Sequence, residues 1–120
     1  MKFDLREHVS KIPLEGSPKQ VIWAERVRMQ KVGAVLAAGV TRILKMIRPH
    51  VTEESLAQMG VSSESHVSQV VSMVMAEYFS ETSASAWITN REQDPMDWMV
   101  YSFKKVEERC KRSSPFVNAK

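Results

Sequence analysis

Few side chains in this sequence have the type and spacing that chemistry requires. The histidines, His8, His50 and His66, stand far apart, and no CxxC or HExxH motif accompanies them. Zinc needs clustered nitrogen or sulfur ligands, so we predict no metal site. The glycines form neither a GxGxxG nor a GxxxxGK loop, the patterns that bind phosphates. We therefore expect no cofactor, and we identify no small-molecule substrate.

Cys110 is the single cysteine and the strongest candidate nucleophile. The flanking cations Arg109 and Lys111 would favour a reactive thiol, but Cys110 also falls on the apolar stripe of the last predicted helix, where a small hydrophobe fits. No GxSxG motif is present, and acids such as Glu53 and Glu54 suit the start of a helix. The sequence offers no catalytic residue, and we predict a protein that is not an enzyme.

The composition is that of one folded domain. The chain has 120 residues, of which 43% are hydrophobic and 26% charged. A single cysteine cannot form an intrachain disulfide, so no oxidising compartment is needed. The first residues include acids and no apolar run, unlike a signal peptide, and the longest weakly charged stretch, 32–40, is far shorter than the ~20 residues of a membrane span. We expect a cytoplasmic protein without a membrane segment.

The element that must position everything else is a long helix from Ser17 to about Arg48. Ser17 can cap it, and Pro18 suits the first helical position. Apolar residues then recur every three or four positions, until Pro49 disfavours the helical conformation of the residue before it. An unbroken helix would be ~45 Å long, which predicts either a protruding end or a second subunit that covers it. A break near Gly33 is the other alternative.

Shorter helices follow, each with a start signal. Thr52 and Asp94 can cap helices, and Pro95 suits a first helical position. Apolar residues recur with helical spacing in four segments: 53–59, 63–79, 84–91 and 95–112. The sequence therefore predicts an all-α, single-domain bundle with one long N-terminal helix and three or four shorter helices.

The domain boundaries follow from the same pattern. Residues 1–16 have no helical period, and we predict an extended arm with at most a short helical turn. Residues 17–112 form the predicted helical domain. Residues 113–120 are a predicted tail, because Pro115 prevents the last helix from continuing.

Charge is segregated along the chain. Residues 18–51 carry seven Lys or Arg and one acid, residues 52–97 carry eight acids and one Arg, and residues 98–120 carry six Lys or Arg and two acids. Basic and acidic helices that pack side by side would explain this pattern; a basic surface that faces a polyanion or an acidic partner is the alternative. The candidate binding surface on the long helix consists of Arg28, Lys31, Arg42, Lys45 and Arg48.

Residues 56–69, LAQMGVSSESHVSQ, resemble the helix-turn-helix of bacterial repressors. The resemblance implies DNA binding through the helix that follows the turn at Gly60. Two spacings depart from the repressor pattern, and this helix carries no Lys or Arg, although neutralised phosphates supply much of the affinity of DNA-binding proteins. A plain corner between two helices is the alternative interpretation.

A second resemblance involves two separate segments. Residues 16–28, GSPKQVIWAERVR, are similar to a G-S/T-x-K-Q-x-x-W-A-E-x-I/V-R segment of uncharacterised proteins from phages, plasmids and other bacterial mobile elements. A W-I-x-N-R element often follows it there, and residues 87–91 of this chain read WITNR. We call these the GSPK element and the WITNR element. Their most distinctive residues are Lys19, Gln20, Trp23, Glu25, Trp87 and Arg91.

The resemblance implies a mobile-element setting and no particular reaction. Trp23 and Trp87 would suit a contact between the long helix and a short one, and Glu25 and Arg91 could form an ion pair across it. We interpret these residues as a feature of the fold. The leading hypothesis is a small, non-enzymatic interaction protein that binds a protein partner or itself, as a homodimer. The alternative is a nucleic-acid-binding regulator that uses the basic helix or the helix-turn-helix.

Overall fold

The computed structural model describes residues 4–60 and 67–113. Within these ranges the chain forms six α-helices and two short 3-10 helices, without a β-strand. The α-helices are α1 (Leu5–Ser10), α2 (Pro18–Ile47), α3 (Glu53–Gln58), α4 (Val67–Tyr78), α5 (Ala84–Thr89) and α6 (Met99–Ser113), and the 3-10 helices are Arg48–His50 and Pro95–Trp98. The predicted all-α class, with one long helix and three or four shorter helices after it, is confirmed, since four α-helices follow α2.

The helix caps lie where the sequence predicted them. The Ser17 hydroxyl accepts a hydrogen bond from the main-chain N–H of Gln20 at 3.3 Å, and the Gln20 side chain accepts one from the N–H of Ser17 at 3.1 Å. This reciprocal capping box satisfies two amides that the first turn leaves unpaired. Thr52 caps α3, and Asp94 caps the 3-10 helix that leads into α6.

Helix α2 is interrupted at Gly39 and not near Gly33. Gly39 has φ 83° and ψ 161°, whereas every other residue of α2 is helical. A positive φ is costly for any residue with a Cβ, so glycine is the residue suited to this kink. The kink divides α2 into a straight segment, 18–38, and a final segment, 40–47.

The N-terminal arm, for which the sequence predicted an extended segment with at most a short helical turn, has a helix of 6 residues. It contains α1, which Asp4 caps by accepting a hydrogen bond from the N–H of Glu7 at 3.2 Å. Leu5 and Val9 are buried, and α1 packs against α4. These two apolar residues, four positions apart, lie on one face of the helix, and their burial gives the short helix tertiary support.

The core lies between two helix pairs, α4 with α6 and α2 with α5. Helix α4 also contacts α1 and α2, which explains why Val70, Val71 and Val74 are all buried. Phe79 and Trp87 stack with ring centroids 5.8 Å apart, and they join the end of α4 to α5. The side chains that are completely or almost completely buried include Val32, Val35, Ile43, Ile47, Val70, Val71, Val74, Phe79, Met99, Phe103 and Val106.

Candidate functional site

The five cations of the predicted basic stripe do not form one surface. Arg28 and Lys31 are only 5% and 7% exposed. The other three, Arg42, Lys45 and Arg48, are exposed and lie beyond the kink at Gly39. The prediction is therefore corrected for Arg28 and Lys31: their charged ends are directed to main-chain carbonyls of other segments and are not available to a partner.

Arg28 joins α2 to the N-terminal arm. Its Nη1 donates a hydrogen bond of 2.8 Å to the carbonyl oxygen of Ile12, while its Nε is buried without a hydrogen-bond partner. Burial lowers the pKa of Arg28, and the nearby charge of Glu25 opposes that effect. The guanidinium thus acts as a structural clamp on the arm.

Lys31 joins α2 to the loop after α5. Its Nζ donates to the carbonyl oxygen of Arg91 at 2.8 Å and also to the carbonyl oxygen of Gln93. Burial lowers the pKa of Lys31, and the negative charge of Asp94 opposes this shift. Two carbonyls that no helix satisfies therefore receive their hydrogen bonds from one ammonium group.

The GSPK and WITNR elements belong to two chain segments that meet side by side. The N–H of Glu15 donates to the carbonyl oxygen of Thr82 at 2.7 Å, and the N–H of Ala84 donates to that of Glu15 at 2.9 Å. A Cβ on Gly16 would lie 3.0 Å from the Cβ of Ala84 and 3.0 Å from Oε1 of Gln20. Gly16 and Gln20 of the GSPK element are therefore compatible with the close approach of α2 and α5.

The tryptophans and charges of these elements are arranged differently from the expectation. Trp23 is half-exposed, and the guanidinium of Arg91 lies 5.3 Å from its ring centroid. Trp87 is buried against Phe79, and its Nε1 donates to the carbonyl oxygen of Glu81 at 2.9 Å. Both members of the expected Glu25–Arg91 ion pair lie in the described ranges, and no ion pair joins them there. Arg91 therefore contacts α2 through a cation–π interaction; Lys19 is exposed.

An apolar stripe on the outer side of α2 is the feature that sequence reasoning missed. Ile22, Met29 and Leu36 are 59%, 40% and 43% exposed, and they recur every seven residues. Their seven-residue spacing was the available signal, because it places side chains nearly in line on a helix.

The stripe has a gap at its centre. Gly33 lies one turn from Met29 and from Leu36, and, apart from its chain neighbours and the nearby backbone of α2, no atom lies within 4 Å of the position that a Cβ would occupy there. Arg26 occupies the equivalent position one heptad earlier and is exposed. The straight segment of α2 thus presents a row of large apolar side chains beside a residue without a side chain.

A separate cleft of about 290 Å³ lies between the end of α4, α5 and α6. Aromatic rings form much of its wall: Tyr78 and Trp87 meet edge to face at 5.7 Å, and Trp98 and Tyr101 meet edge to face at 5.5 Å. Burial, and then the charge of Asp94, raises the pKa of Tyr78 well above its ordinary value. The polar residues of the lining are Glu77, Ser80, Glu81, Thr82, Asn90, Ser102 and Lys105.

Residues 4–60 and 67–113 contain no group of three or more His, Cys, Asp or Glu side chains that could hold a metal ion. None of the helices there combines the length and hydropathy of a membrane-spanning segment. The turn of the predicted helix-turn-helix, 61–66, lies outside the described residues; of the helix after it, only Gln69 is fully exposed between residues 69 and 78.

No protein-family model matches the chain, and no curated protein or solved structure matches it either. The geometry of the α2 stripe and of the aromatic cleft is therefore the basis for a functional proposal.

Proposed function

We propose that this protein is a small, non-enzymatic interaction protein that self-associates through the outer side of α2. The observation that carries the proposal is the row of exposed apolar side chains at Ile22, Met29 and Leu36. Isolated apolar residues on a surface need no explanation, but a row that repeats every seven residues has the form of a helix–helix seam. The mobile-element setting stays part of the proposal and is supported by the resemblance of the GSPK and WITNR elements.

The seam has the length and the pattern for pairing with another helix. The straight segment 18–38 is ~31 Å long at 1.5 Å per residue. Within it, Ile22, Met29 and Leu36 occupy one heptad position, while Arg26 and Gly33 occupy the other apolar position of a two-stranded seam. A partner helix would remove the three large side chains from water, with a stabilisation of ~25 cal/mol per Å² of apolar surface buried.

A second copy in the antiparallel orientation fits this seam best. If the two-fold axis passes between Met29 and Gly33, each Met29 enters the open space beside Gly33 of the other copy. In a parallel pair, by contrast, Gly33 would face Gly33 and leave a void, and Arg26 would face Arg26 with like charges together. Two-fold symmetry makes such a contact close on itself.

The proposal predicts a dimer whose formation depends on the stripe. The solution mass should be measured by light scattering and sedimentation over a wide range of concentrations, for the unaltered protein and for Met29→Glu. The variant should be monomeric at concentrations where the unaltered protein is a dimer, because it places a charge in the centre of an apolar contact. Ala34→Glu is the matched control: it introduces the same side chain at an exposed position of α2 away from the stripe.

The same measurements can overturn the proposal. A strictly monomeric unaltered protein at the highest concentration, or a dimer that Met29→Glu leaves intact, would exclude this seam as the site of self-association. An anisotropy titration with duplex DNA at low salt addresses the nucleic-acid alternative. Steeply salt-dependent binding that is lost on neutralising Arg42 and Lys45 would favour that alternative.

A further inference from the structure

The cleft between α4, α5 and α6 takes no part in the proposed self-association, and aromatic side chains line it. Its wall includes four aromatic rings, those of Tyr78, Trp87, Trp98 and Tyr101. Trp87 is buried, and Tyr78 and Trp98 are half-buried, whereas Tyr101 is 52% exposed and lies at the mouth. At about 290 Å³ the cleft is at the small end of ligand sites and suits a compact chemical group.

Aromatic faces carry negative electrostatic potential and attract cations. The protein already shows this contact in the cleft, where Nζ of Lys105 lies 5.1 Å from the ring centroid of Tyr101. The ammonium of Lys105 thus occupies one ring face at the mouth. This contact shows that a cation can be accommodated there. The Lys105 ammonium would compete with a cation that arrives from solution.

The carboxylates of the cleft favour a cation that makes no hydrogen bonds. Glu77 is largely buried, and its carboxylate pairs with Arg109. Glu81 accepts a hydrogen bond from the N–H of Ser83 at 3.0 Å. A primary ammonium needs acceptors for three N–H groups, whereas these acids are already partly engaged. A methylated ammonium needs only ring faces and nearby negative charge.

We propose that the cleft binds a methylated ammonium group among the rings of Tyr78, Trp87, Trp98 and Tyr101, which all line it. Glu81 supplies long-range attraction from the rim. The group can belong to a small molecule or to a methylated lysine side chain, because the same contacts recognise both. This inference is independent of the α2 stripe, which lies on another helix.

NMR titration provides a direct test, because the indole N–H groups of Trp87 and Trp98 point to partners beside the cleft, Glu81 and Gln93. Choline chloride is the first probe, and 3,3-dimethylbutan-1-ol is its neutral match in shape. Choline should shift the Trp87 and Trp98 resonances with saturation and leave Trp23 unshifted. The neutral analogue should bind about tenfold more weakly, as expected from a cation–π term of ~1–2 kcal/mol.

Variants make the assignment specific. Tyr101→Leu and Glu81→Gln should each weaken choline binding by about threefold to tenfold, since each removes one attractive element from an exposed position. Lys105→Met should strengthen it, because the competing ammonium is gone. Trp23→Leu removes an exposed tryptophan outside the cleft and should leave the affinity unchanged.

Several results would overturn the inference. The inference is wrong if neither choline nor a trimethyllysine peptide causes a saturable shift. It is also wrong if the neutral analogue binds as tightly as choline. An unchanged affinity in Tyr101→Leu, with a native spectrum, would exclude the cleft as the site. Binding of choline supports a small-molecule source, whereas binding of the trimethyllysine peptide alone supports a methylated side chain of a partner.

Discussion

The ammonium of Lys31 on α2 donates a hydrogen bond of 2.8 Å to the main-chain oxygen of Arg91, sixty residues further along the chain. The lysine is almost completely buried, and its second acceptor is the carbonyl of Gln93. A charge on the most basic helix of the protein therefore holds the fold together. The same is true of Arg28, which binds the carbonyl of Ile12.

Lys31→Met should destabilise the fold by about 2 kcal/mol. Methionine replaces the aliphatic stem but leaves two carbonyls without their donor, and hydrogen bonds to charged groups contribute ~1.5–3 kcal/mol. Urea unfolding followed by circular dichroism measures the change. Lys45→Met on the exposed end of α2 is the control and should stay within ~0.5 kcal/mol of the unaltered protein. Equal stability of the two variants would contradict the structural role of Lys31.

Gly16→Ala should also destabilise the protein, here because of limited space. A Cβ would lie only 3.0 Å from the Cβ of Ala84, at a residue whose φ of 156° already suits glycine. The methyl group would push α5 from the start of α2 and disturb the capping box of Ser17. We expect a loss of about 1–3 kcal/mol in the free energy of unfolding, the range for overpacked sites. An increase in stability would contradict the close approach.

Local chemistry made much of the fold predictable. The caps at Ser17, Thr52 and Asp94 depend on residues within one turn, and the sequence displays them directly. The apolar stripe of α6 was equally visible, and Met99, Phe103 and Val106 are buried as its spacing indicated. These features needed no knowledge of which helix packs against which.

The candidate site was less predictable, because it depends on distant partners. Nothing near Arg28 or Lys31 indicates that the carbonyls of residues 12, 91 and 93 will meet them, so both cations were assigned to an outer face. The cleft likewise requires that Tyr78 and Trp98, from different helices, come together. Gly33 and Gly39 both lie inside the same predicted helix, and nothing local in the sequence indicates that Gly39 is the one with non-helical φ and ψ.

The two glycines of α2 should respond in opposite directions to alanine. Gly39→Ala must place a Cβ at φ 83°, which costs about 1–3 kcal/mol. Gly33 has helical geometry and open space at the Cβ position, so Gly33→Ala should stabilise the isolated chain by up to ~1 kcal/mol. Thermal unfolding at low protein concentration separates the two. In the proposed dimer, Gly33→Ala should also weaken association, because it fills the space that Met29 enters.

Tyr78 should resist ionisation in the folded protein. Burial and the charge of Asp94 raise its pKa above the ordinary tyrosine value of about 10. The folded state therefore holds the phenolic proton more tightly than the unfolded state does. This contribution to stability is fully present below pH ~10 and is lost as the pH rises from there towards the folded pKa, with a slope of at most ~1.4 kcal/mol per pH unit.

The chain has two tyrosines, so Tyr101→Phe leaves Tyr78 as the only phenol while keeping the second ring in the cleft. Absorbance at 295 nm then reports tyrosinate from Tyr78 alone. We expect little tyrosinate in the folded variant at pH 10.5, where the same variant in urea is more than half ionised, as an ordinary tyrosine pKa of about 10 requires. Coincident titration curves for the folded and the unfolded variant would show that Tyr78 is neither desolvated nor close to Asp94.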